Sequence, residues 1–116
     1  MAQSEMNRCA DSDFREADAK LNRVYKKTLQ FMVDDLAEAR QQGDEEQAKE
    51  ENTAIASLKQ AERAWLLYRD VQCKAAADYD RGSIRPMIYS QCLKTVTEHR
   101  IADLKSIYGG RGRKLD

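Results

Sequence analysis

Three cysteines and one histidine are the side chains of this 116-residue sequence most suited to redox, metal or nucleophilic chemistry: Cys9, Cys73, Cys92 and His99. A zinc site needs several such ligands converging on one point. His99 follows Cys92 by seven residues, about 10 Å along a helix axis, too far to share one ion. No CxxC or HExxH spacing occurs. Glu98 neighbours His99 but projects about 100° away around a helix, so adjacency does not orient the imidazole. There is no glycine-rich phosphate loop and no nucleophile elbow. The sequence therefore predicts no catalytic residue, no metal, no cofactor and no enzymatic activity. Cys73 and Cys92 are different: they lie at equal sequence distance from the turn around Gly82 and Ser83. A chain folded back there sets them opposite each other and allows a disulfide, which implies an oxidising compartment. Free buried thiols and a metal site are the alternatives.

Those residues must be positioned by helices. The five glycines, Gly43, Gly82, Gly109, Gly110 and Gly112, and the single proline, Pro86, leave three uninterrupted segments rich in good helix formers. In the first, Ala10, Phe14, Ala17, Leu21, Val24, Thr28, Met32 and Leu36 recur by threes and fours and share one face. The second gives Ile55, Leu58, Ala61, Trp65, Tyr68, Ala75 and Tyr79. The third gives Tyr89, Cys92, Val96, Ile101, Leu104 and Tyr108. Ser4, Asp44 and Ser83 are the expected N-caps, with Gln47 completing a capping box after Asp44. The fold predicted is all-α: an up-down-up three-helix bundle with a disulfide between helices 2 and 3. Phe14, Leu21, Trp65, Tyr68 and Val96 are expected in its core, with Arg69 able to stack on Trp65 or to face a partner. Residues 1–108 form the single domain and 109–116 a flexible basic tail.

The third segment is shorter than the other two. Roughly Gln30 to Ala56 should therefore protrude as a long first hairpin. That stretch holds eight carboxylates against Arg40 and Lys49, a local net charge of −6 in a chain whose overall charge is zero. The partner-binding candidates are Asp34, Asp35, Glu38, Asp44, Glu45, Glu46, Glu50 and Glu51, with Phe31 as an apolar contact on the uncovered tip. Zero net charge gives no general pull toward nucleic acid. No apolar run approaches the ~18 residues of a transmembrane helix, and residues 1–10 have no signal-peptide character.

The ordered blocks Gln3-Ser4-Glu5-Met6-Asn7-Arg8-Cys9-Ala10, Ala17 to Tyr25, Gln60 to Cys73, Gly82-Ser83-Ile84-Arg85-Pro86-Met87, Tyr89, Cys92-Leu93 and Thr97-Glu98-His99-Arg100 carry a resemblance. Together they resemble the bacterial LprI-type lysozyme-inhibitor domain family, over most of the chain outside the acidic tip and the tail. The resemblance implies a small helical protein of the periplasm or cell envelope, with its leader missing from this chain. It also implies a fourth cysteine just upstream, which would leave Cys9 unpaired here. The implied function is protein binding, with a basic lysozyme-like hydrolase as the partner; the alternative is a helical adaptor or immunity-type protein that binds another envelope or secreted protein.

Overall fold

The computed structural model describes residues 2–110 and 112–116. Three helices follow one another: α1 (Gln3–Gln41), α2 (Glu45–Tyr79) and α3 (Arg85–Tyr108). No strand occurs among the described residues. Each break has a local cause. Gly43 takes φ +71°, the left-handed conformation that ends α1, and the Asp44 side chain accepts from the Gln47 amide at 3.0 Å to start α2. Gly82 takes φ +108° between α2 and α3. The other two expected caps are displaced. Ser4 lies inside α1, which starts after Ala2, and α3 starts after Ile84, neither with a side-chain cap.

Cys73 and Cys92 form a disulfide that joins α2 to α3, with their Cα atoms 5.4 Å apart. All three helices pack on one another, and the molecule is extended, 62 × 23 × 16 Å. The core runs along this length. Leu21, Val24, Met32, Leu58, Ile101 and Leu104 are its buried side chains, and Tyr25, Leu29, Phe31, Ile55, Trp65 and Tyr108 pack against them. The α1 stripe expected from the spacing is the buried one.

The α2 stripe is buried only in part: Leu58 is in the core and Ile55 and Trp65 pack against it. Its inward residues are Leu58, Glu62, Arg69, Cys73 and Ala77, while Ala61, Tyr68, Ala75 and Tyr79 face solvent. Tyr68, expected in the core, is 55% exposed. The cause is that α2 has two candidate faces, and the one carrying Glu62 and Arg69 finds charged partners on α1 and α3. A paired charge can be buried where an unpaired one cannot.

Some of the last residues contact the helices. Leu115 is 3% exposed and joins the core cluster. Arg113 makes a two-pronged pair with Asp35, one arm at 2.9 Å, and lies over the Phe31 ring. Asp116 pairs with Lys105. An apolar residue near the end of a basic segment gave this segment something to bury.

Candidate functional site

Two features of the structure hold unusual chemistry: a charged aromatic cluster inside the bundle and a carboxylate-rich end.

The inner cluster follows from the α2 register. Glu62, Trp65 and Arg69 are three and four residues apart and so share one face. Arg69 donates through Nη1 to Asp18 Oδ1 at 2.8 Å and to the Thr97 hydroxyl at 3.1 Å. Its guanidinium stands 5.1 Å from the ring centroids of both Phe14 and Trp65. Arg100 reaches Trp65 from α3, at 5.8 Å, and donates through Nε to Glu62 Oε1 at 2.9 Å. Trp65 is thus in contact with two cations, each neutralised by its own carboxylate. The cluster ties α2 to α1 through Asp18 and to α3 through Thr97 and Glu62–Arg100. Burial, with the Glu62 charge second, pushes the Tyr25 hydroxyl above the ordinary tyrosine range. Nothing here places a nucleophile beside a base. Two balanced ion pairs around an indole make a structural joint, and the second of Arg69's two possibilities, facing a partner, is excluded by its burial.

The acidic end surrounds the α1–α2 turn. Asp34, Glu38, Glu45, Glu46 and Glu50 are exposed there, and Glu51 is half-buried. Asp44 is occupied as a helix cap. Asp35 is engaged by Arg113, and Phe31, expected to be uncovered, is half-buried between the core and that arginine. The C-terminal segment therefore takes two of the nine candidate contact residues and adds one positive charge to this end.

Leu21 is buried in the core; Phe14, Trp65 and Val96 are half-buried. His99 is exposed, and Cys9 is an exposed free thiol. No group of three metal-binding side chains occurs among the described residues. Among the described residues no helix is long and apolar enough to cross a membrane. The residues missed from sequence are Glu62, Asp18, Thr97 and Arg100. The available signal was two opposite charges, Glu62 and Arg69, three residues before and four after the only tryptophan of the sequence.

The description "Lysozyme inhibitor LprI" matches residues 1–104, nearly the whole chain. The protein belongs to the LprI lysozyme-inhibitor family. An uncharacterized protein of Rhizobium meliloti (strain 1021) is 41% identical over 108 residues, covering 92% of this chain and 74% of that one. No solved structure matches the chain. The LprI match spans α1, α2 and all but the last turn of α3, so the disulfide and every member of the Trp65 cluster lie within it. Arg113 and Leu115, which close the C-terminal segment onto α1, lie beyond it.

Proposed function

We propose that this LprI-family chain is an extracytoplasmic binding protein, not an enzyme, that inhibits a basic lysozyme-like hydrolase by docking through its acidic end. Family membership supports the inhibitor class, and a disulfide is at home in an oxidising periplasm or envelope. In this reading α1 and α2 run up and down as one hairpin and α3 returns along its lower part. At 1.5 Å per residue α3 spans about 36 Å of a molecule whose helix α1 is about 58 Å long, so the acidic turn stands clear of it.

The observation that carries the reading is the arrangement of carboxylates. Asp34, Glu38, Glu45, Glu46 and Glu50 are exposed on either side of the α1–α2 turn. A concentrated negative field of this kind raises the encounter rate with a cationic partner and weakens as salt rises. Lysis of cell-wall substrate by a basic lysozyme tests it. The protein should slow lysis at low ionic strength and do so less at high. No slowing at low salt, at protein concentrations well above that of the enzyme, would defeat the proposal. The adaptor alternative has Phe31, Val33 and Ile55 as its apolar contacts; Phe31 and Ile55 are half-buried, while Val33 is 45% exposed.

A further inference from the structure

The segment after α3 meets the carboxylates of α1 as a cationic ligand would. Residues 109–116 carry three cations against one carboxylate. Arg113 forks onto both oxygens of Asp35 and stands 5.0 Å from the centroid of the Phe31 ring. Asp34 and Glu51 add their attraction from farther off. Two residues on, Leu115 is buried in the core cluster, and Asp116 pairs with Lys105. In order from Arg113, the seat takes a cation over an aromatic ring, then an aliphatic side chain, then a carboxylate.

The fit is loose around the arginine. Arg113 and Asp35 keep 34% and 28% of their side-chain surface, so water reaches the pair and its net attraction is modest. A cavity of about 260 Å³ stays open beside it, with Phe31, Met32, Glu51 and Tyr108 in its lining. Gly110 and Gly112 have open space where a side chain would stand, and Gly112 takes φ +78°. Glycines before the anchoring residues give the segment a hinge. The family match stops at residue 104, so the seat's present occupant lies outside the part shared with the family.

We propose that this seat is a binding site for an arginine-bearing segment of the partner, and that residues 109–116 occupy it in cis as an internal competitor. The proposal rests on the acidic end being the docking surface. A cationic partner drawn toward Asp34 and Glu38 meets Asp35 and Phe31 on the same helix. Its own arginine can replace Arg113 bond for bond. A guanidinium fork on a carboxylate with a ring beneath it is a geometry that lysine does not reproduce. Displacing the segment also removes its cations from this end and restores the negative field. A short flexible tether holds its segment at an effective concentration on the order of 1 mM. A free copy of the same sequence that binds the open seat at about 100 µM should therefore bind the closed chain roughly tenfold more weakly.

A labelled synthetic peptide with the sequence of residues 109–116, titrated with full-length chains and followed by fluorescence anisotropy, tests the proposal. The chains are the original, a released form carrying Arg113→Gln and Leu115→Ser, and the released form with Asp35→Asn added. The released form should bind the peptide about tenfold more tightly than the original, and Asp35→Asn should abolish that gain. A peptide carrying Arg113→Lys should bind the released form several-fold more weakly. Arg113→Gln alone, which keeps Leu115 in place, should give a smaller gain and takes over the test if the double substitution lowers the helical circular dichroism signal. No peptide binding to a released chain that keeps its helical signal, or equal binding to released and original chains, would overturn the proposal. Inhibition of a basic lysozyme is the second readout. Stronger inhibition by the released form supports the internal competition, and equal inhibition by both overturns it. Inhibition by neither defeats the lysozyme reading, while the peptide titration decides the arginine seat by itself.

Discussion

The joint between Glu62 and Arg100 offers the sharpest test of how the bundle is held. The two side chains are only 10% and 13% exposed, so each is the other's main source of compensation. Replacing Arg100 by Met keeps most of the volume and leaves the Glu62 carboxylate buried without its partner. Loss of one member of a buried pair typically costs 3–5 kcal/mol. The residual exposure lets some water reach Glu62, which places the expected cost near the lower end, about 3 kcal/mol. The contact with Trp65 at 5.8 Å adds less than about 1 kcal/mol. Glu62→Leu alone should cost a similar amount, because Arg100 then keeps a buried cation whose Nη2 already lacks a hydrogen-bond partner. The double variant removes both charges and should be more stable than either single variant, within about 1 kcal/mol of the original. Urea unfolding followed by circular dichroism, with the disulfide intact, measures all four chains without adding salt. Single costs below about 1 kcal/mol, or a double cost equal to their sum, would show that the pair is no more than a hydrated surface contact.

Three further outcomes follow from the geometry. Leu115→Ala should destabilise by about 2 kcal/mol, as for a buried leucine near a chain end, whereas an unattached tail would show no change in the same urea titration. Reducing the Cys73–Cys92 bridge, which spans 19 residues, should cost about 3 kcal/mol from loop entropy, read as a lower melting temperature in reductant for the Cys9→Ser chain. Tyr25 is held above the ordinary tyrosine range by burial and by Glu62. A hydroxyl whose pKa is raised by folding contributes stability that is whole below the unfolded value and lost as pH climbs through the folded one. Ultraviolet titration should therefore show one late-ionising tyrosine that Tyr25→Phe removes; loss of an early-ionising one instead would contradict the assignment.

Much of the fold was legible because glycine and proline mark the breaks and α1 has a single apolar face. The disulfide was legible because a fold-back at Gly82 brings Cys73 and Cys92 level. The α2 register was not. Its apolar residues fall on two sides, and periodicity within one helix cannot say which side is buried. That choice was made by Asp18, Thr97 and Arg100, which lie far away in sequence and turn Glu62 and Arg69 into acceptable core residues. The docking of Leu115 was hidden for a similar reason: a glycine-rich basic run reads as a linker, and one leucine at its end gives no periodic signal. At the acidic end, the residue types were visible, but the sharing of Asp35 and Phe31 with Arg113 needed three dimensions.

The proposed lysozyme contact is tested most directly by titrating the enzyme calorimetrically with the protein and with a form in which Asp34, Glu38, Glu45, Glu46 and Glu50 are changed to Gln or Asn. The account predicts binding by the first that weakens steadily as salt is added, and little or no binding by the second, with both equally stable to urea. Equal affinity for the two forms, unaffected by salt, would contradict it.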